Sequence, residues 1–151
     1  DHPGQRATWA RDFANVAPTA VEEIVRWASP LIHFRRTATR ETEISGQAIR
    51  VGEKVVMFYS SANRDEAVFA DPYRFDVRRE PNDHVGYGGP GPHFCLGAHL
   101  ARREITVMFR ELFRRLPDLQ ITGEPAYLLS FFINGIKHLP CELGTPARAH
   151  A

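Results

Sequence analysis

The stretch "YGGPGPHFCLGAHLAR", residues 87–102, sets Cys95 in a loop of four glycines and two prolines, directly ahead of a helical pattern. A cysteine there feels the positive end of the helix dipole and the free N–H groups of the first turn, and both favour the thiolate. Such a thiolate serves as a nucleophile or a metal ligand. Gly86, Gly88, Gly89, Gly91 and Gly97 strip side chains from its surroundings, which leaves room for a flat, bulky group such as a planar cofactor. Two other readings stand beside this one. Taken alone, a lone Cys beside Gly is more often a buried structural cysteine in a turn, and "HFCLGAH" offers His93, Cys95 and His99 to zinc, with no fourth ligand at a credible spacing.

Downstream of the loop, Ala101, Ile105, Met108, Leu112 and Leu116 fall on one face of a helical period that Pro117 ends. Arg103, Arg110 and Arg114 lie opposite, in a segment, 102–115, holding five arginines and two glutamates. Upstream, residues 62–94 are rich in Pro, Asp, Asn and Gly and lack periodicity, which predicts a long loop, functional or disordered. From Phe34 to Tyr59 the sequence favours strands, broken at 45–47 and 51–53 into one or two hairpins. Before these, Trp9, Phe13 and Val16 predict a helix ending ahead of Pro18. A capping box from Thr19 to Glu22, with Pro30 as a stop, predicts a second helix over about 20–28. The tail, 119–143, reads as short strands with a tight turn at Asn134–Gly135.

The 151 residues suit one ordinary domain, 43% apolar and 25% charged. A formal charge of +1 argues against a nucleic-acid partner. No apolar run approaches the roughly 20 residues of a membrane span, and no signal peptide precedes the first helical pattern, so the expected location is cytoplasmic. Cys95 and Cys141 stand in unlike contexts and read as unpaired. The chain opens at Asp1 within a helical pattern, as a piece of something longer would.

With these residues in view, "GPGPHFCLGAHLAR" resembles the cysteine-ligand loop of cytochrome P-450, approximately F-x-x-G-x-[RH]-x-C-x-G. Gly91, His93, Cys95 and Gly97 occupy its G, R/H, C and G places. The place of the first aromatic is Gly88, with Tyr87 one residue earlier. Two further features follow the family's order. Glu23 and Arg26 in "EEIVR" match E-x-x-R, and Arg74 in "DPYRFD" matches P-x-R-F.

The resemblance implies a mainly α fold with small β-sheets (α+β), with residues 1–151 as the C-terminal haem-binding part of a single larger domain. It implies haem b ligated through the Cys95 thiolate, with Gly88, Gly89, Gly91, Phe94 and Gly97 around it and His93 and Arg36 on the propionates. Glu23, Arg26 and Arg74 would form a structural network. Leu31, Ile32, Phe34, Phe132 and Ile133 would line a pocket for an apolar small molecule. A ferredoxin-like electron donor would dock on the basic face of Arg103, Arg110 and Arg114. The implied activity is haem-thiolate monooxygenation. The family's distal acid–alcohol motif, approximately [AG]-G-x-[DE]-T, is not among the 151 residues. The expectation is therefore that an upstream distal part completes the protein, the alternative being a truncated haem-binding remnant without oxygenase activity.

Overall fold

Two helices open the chain, α1 (Pro3–Arg11) and α2 (Phe13–Ala28), in the computed structural model, which describes residues 2–144. The break between them falls at Asp12, not ahead of Pro18, which lies inside α2. An internal proline removes a backbone hydrogen bond and costs about 3 kcal/mol. Val16, Ala17, Ala20, Val21 and Val25 nevertheless form a buried stripe through it. Burying each valine there is worth about 1.5–3 kcal/mol, so the continuous face prevails over the local break. The expected capping box is absent for the same reason. The Thr19 hydroxyl donates to the carbonyls of Val77 (2.6 Å) and Val16 (3.1 Å), and Glu22 turns to His84 and Arg102. The helix closes at Ser29, whose N–H donates to the Val25 carbonyl from a left-handed conformation.

The strand-favouring segment forms two antiparallel pairs. β1 (His33–Thr37) pairs β4 (Lys54–Phe58), with Phe34 opposite Met57 and Arg36 opposite Val55. Between them, β2 (Thr42–Ile44) and β3 (Gln47–Ile49) make a hairpin whose turn is Ser45–Gly46, so both predicted breaks are turns. A short helix, α3 (Tyr59–Ala62), follows. Residues 63–97 then hold no helix or strand and are anchored by the buried Phe69 and Val77.

After this loop runs α4 (Ala98–Arg115), the longest helix among the described residues. Its packed face is rotated slightly from the expected one. Phe109 packs tilted against Trp9 and Phe113 meets it edge-on, with ring centroids 4.7 and 5.4 Å away, while Met108 is exposed. Large rings bury more apolar area than a methionine, and they set the rotation. α1, α2 and α4 thus enclose one core around Trp9, Val16, Ala20, Val21 and Val77.

The tail forms β5 (Gln120–Ile121) paired with β8 (Cys141–Glu142), and β6 (Ala126–Tyr127) paired with β7 (Ile136–His138). The expected turn at Asn134–Gly135 is not the hairpin's tip. The tip is at Ser130, whose hydroxyl oxygen accepts from the N–H groups of Phe132 and Ile133. Asn134 instead ties the hairpin to the end of α2, its side chain donating to the Ala28 carbonyl and its N–H to that of Pro30. The architecture is mixed helices and small two-stranded sheets. No helix among the described residues is long and apolar enough to cross a membrane.

Candidate functional site

The cysteine loop is a closed turn built on backbone. The Cys95 N–H donates to the Tyr87 carbonyl (2.9 Å), that of Phe94 to Gly91 (3.1 Å), and that of Ala98 to the carbonyl of Cys95 (3.2 Å). Gly88 and Gly91 have φ of 89° and 130°, conformations that side-chain-bearing residues rarely adopt. Gly86 has a different role from the one its position suggested. A Cβ there would overlap Val25 Cγ1, so its bareness lets the loop pack on α2 and does not serve the sulfur. Beside Gly89 and Gly91 there is open space, and the only atom near a Cβ built on Gly97 is the Cys95 sulfur, at 3.8 Å. Cys95 is an exposed free thiol two residues ahead of Gly97, the N-cap of α4. Phe94, Leu96 and Leu100 are exposed beside it in sequence. Among the described residues, no three His, Cys, Asp or Glu side chains gather as a metal site, so the zinc reading gains nothing.

A buried ion-pair network holds the segment leading to the loop. Glu23 and Arg26 are both fully buried, with Arg26 Nε and Nη2 donating to the carboxylate at 2.7 and 2.8 Å. Arg26 Nη1 also donates to the carbonyls of Asn63 and Pro72, at 2.8 Å each. The second guanidinium on Glu23 belongs to Arg79 (3.2 Å), not to Arg74 as expected. Arg74 takes part through its carbonyl, which accepts from Arg26 (3.2 Å) and Arg79 (2.8 Å). With its carbonyl turned inward, its side chain lies outside, 64% exposed, 3.6 Å from Asp76. Asn82 and the Asp76 N–H complete the carboxylate's shell. Asn63 is buried as well, donating to Ser29 and accepting from the Val85 N–H.

The family profile of cytochrome P-450 matches residues 15–119. The chain belongs to the cytochrome P-450 family. It is 60% identical over 139 residues to a methyl-branched lipid omega-hydroxylase of Mycobacterium tuberculosis, covering 92% of this chain and 32% of that protein. It is 50% identical over 139 residues to a steroid C26-monooxygenase of the same species, covering 91% of the chain and 31% of the relative. A Mycobacterium marinum cytochrome P-450 solved with pseudoionone superposes with a TM-score of 0.89 at 53% identity, over 92% of this chain and 33% of that one. The chain thus spans about a third of the length of these relatives and corresponds to the C-terminal portion of the P-450 fold.

The P-450 family implies haem, and the residues present fit such a group. One exposed thiol stands on a turn bare of side chains, with open space beside Gly89 and Gly91. A chain of aromatic contacts leads from this turn to the expected pocket residues. Tyr59 Oη lies 3.9 Å from where a Gly88 Cβ would be, and the Tyr59 ring is 5.7 Å from that of Phe34. Phe34 meets Phe132 edge-on at 5.4 Å, and the Arg36 guanidinium lies 5.9 Å from the Phe34 ring. A backbone bridge joins Leu31 to Ile133, and the Ile32 N–H donates to the Phe132 carbonyl, so the backbones of the two segments that carry the five pocket candidates lie side by side. Arg36 is exposed, and its one side-chain hydrogen bond among the described residues is to the neighbouring Arg35 carbonyl. His93 is exposed too. Two cationic or protonatable groups open to solvent suit the carboxylates of a haem.

On α4 the basic face is uneven. Arg103 and Arg110 are exposed, but Arg114 and Arg115 both donate to Glu111, at 2.7 and 2.8 Å. Hydrogen bonds from Arg114 and then Arg115 hold the Glu111 carboxyl at about 2. Sequence reasoning missed Tyr59, Asn63, Arg79 and the Glu22 cluster. Only Arg79 left a signal, as the second cation in "FDVRRE".

Proposed function

We propose that this chain is the haem-ligating part of a monooxygenase acting on an apolar substrate with an aliphatic chain. One atom of O2 enters a C–H bond and the other leaves as water, with two electrons from a ferredoxin-like donor and two protons. The observation that carries this reading is the exposed Cys95 thiol on its bare, backbone-closed turn ahead of α4. In it, Cys95 supplies the axial thiolate, while Arg36 and His93 hold the propionates. Gly88, Gly89, Gly91, Gly97 and Phe94 bound the face toward the ring. Haem supplies the oxygen-activating chemistry when bound. Leu31, Ile32, Phe34, Phe132 and Ile133 orient the substrate and keep water out. The 60% identity to a methyl-branched lipid omega-hydroxylase supports a branched lipid as the first substrate class.

The test is reconstitution of the haem-loaded protein, expressed with its natural flanking sequence, with a ferredoxin, its reductase and a methyl-branched fatty acid. The expected product carries one added oxygen at the chain end, labelled when 18-O dioxygen is supplied. A haem-loaded protein that binds carbon monoxide with a thiolate-type spectrum yet oxygenates none of branched lipids, steroids or terpenoids would support the remnant instead.

The donor is proposed to dock where α4 offers Arg103 and Arg110, exposed and without an ion pair among the described residues. Arg110→Glu is expected to slow donor-supported reduction about tenfold at low salt, within the range that electrostatic steering supplies. Arg114→Glu is expected to do less, because Glu111 already offsets that charge. Stopped-flow reduction at rising ionic strength checks both, since salt screening should erase the difference. Rates indifferent to Arg110 and to salt would remove this face as the docking site.

A further inference from the structure

Glu22, one residue before the buried Glu23, gathers a second cluster. Its Oε1 accepts from Arg102 Nε (2.6 Å), and its Oε2 accepts from Arg102 Nη2 and His84 Nε2, each at 2.9 Å. His84 Nδ1 accepts the Gly86 N–H (3.0 Å), which leaves Nε2 to donate to Glu22. The Arg102 guanidinium lies over the Tyr87 ring, 4.5 Å from its centroid. Tyr87 in turn holds the Cys95 N–H through its carbonyl (2.9 Å). One carboxylate therefore ties α2 to α4 and to both ends of the segment 84–87 that enters the cysteine turn.

Burial would raise the Glu22 carboxyl, but the hydrogen bonds from His84 and Arg102 outweigh it and hold it at about 2. Hydrogen bonding to Glu22 pushes Arg102 up against burial, with smaller contributions from the charges of Glu22, Tyr87 and Cys95. Glu22 and Arg102 thus set one anion against one cation on the protein side of the turn. A unit charge in partly desolvated protein is felt well beyond contact distance. Removing either partner leaves the other's charge beside the turn.

We propose that Glu22 and Arg102 are positioning residues for Cys95: with His84 and Tyr87 they fix the cysteine turn, and their balanced charges set the electrostatic field at the group Cys95 ligates. The proposal rests on the reading of Cys95 as haem ligand. It differs from a purely structural role in one respect, the sign of the effect. Breaking a structural pair from either side weakens the fold alike, whereas the field changes in opposite directions.

The test is spectroelectrochemical titration of the ferric/ferrous couple in the haem-loaded protein with its natural flanking sequence. Arg102→Met leaves Glu22 uncompensated and is expected to shift the equilibrium about tenfold toward ferric, about 59 mV more negative. Glu22→Gln leaves Arg102 uncompensated and is expected to shift it a similar amount toward ferrous. The double variant should return near the parent. Shifts of the same sign, or none, in variants whose carbon monoxide complex keeps the thiolate-type Soret band overturn the proposal. A parent protein lacking that band overturns the ligand reading instead, so the two failures are distinguishable. Where Arg102→Met does not retain haem, Arg102→Lys is expected near the parent potential and Arg102→Gln below it, and equal potentials overturn the proposal.

Discussion

Replacing Arg26 with methionine is expected to abolish stable haem incorporation, Arg79→Met to impair it, and Arg74→Ala to leave it intact. Arg26 is fully buried and makes five hydrogen bonds, two of them to the equally buried Glu23. Deleting one member of such a pair leaves an uncompensated charge in the interior and costs roughly 3–5 kcal/mol. That is a large share of the roughly 5–15 kcal/mol by which domains are stable. Arg79 also ties the loop through the carbonyls of Ala70, Asp71 and Arg74, but without it Glu23 keeps Arg26, so the loss is smaller. The exposed Arg74 side chain has only a distant surface partner, worth about 0–1 kcal/mol. Haem content per chain and urea denaturation of the protein with its natural flanking sequence rank the three. A loss in Arg74→Ala equal to that in Arg26→Met would mean that the network is wrongly assigned.

The order of these arginines shows where sequence reading reached its limit. E-x-x-R is legible because residues three apart on a helix share a face, and in the structure Glu23 and Arg26 meet. Which loop arginine joins them depends on the direction of the backbone across 35 residues without helix or strand, 63–97. Spacing carries no information about that. Once the carbonyls of Pro72 and Arg74 face Arg26, the Arg74 side chain must leave and Arg79 fills the place. Glu22 was misread for a related cause: local spacing suggested a cap, and the long-range partners His84 and Arg102 claimed it.

Pro18 and Met108 teach the same lesson for the fold. Both readings treated one local rule as decisive, and both were overridden by apolar area buried elsewhere, along α2 and against Trp9. The α4 span, the Ser45–Gly46 turn and the loop glycines were legible because each depends on neighbours within a few residues. That the segment around Phe34 and the tail hairpin meet was legible, but not which ring makes the contact. Phe132 packs inward on Phe34, while Phe131 stands exposed at the hairpin tip.

Cys95→Ser is expected to remove the thiolate-type Soret band of the carbon monoxide complex completely, and Cys141→Ser to leave it unchanged. Both thiols are exposed, so exposure alone does not choose between them. Their surroundings do. Cys141 lies in β8, paired with Ile121 and flanked by a strand backbone on one side. Cys95 stands where glycines and open space admit a planar group, ahead of the N–H groups that open α4. Serine keeps the size of the side chain and both backbone bonds of the turn, the N–H to Tyr87 and the carbonyl to Ala98. The fold should therefore change by no more than about 0.5 kcal/mol, as surface substitutions usually do. What is lost is the soft, ionisable sulfur, since a hydroxyl at neutral pH presents no anion to the iron. Unchanged denaturation together with a vanished band thus assigns ligation to the sulfur itself, whereas a band that survives Cys95→Ser and disappears with Cys141→Ser would move the ligation to Cys141.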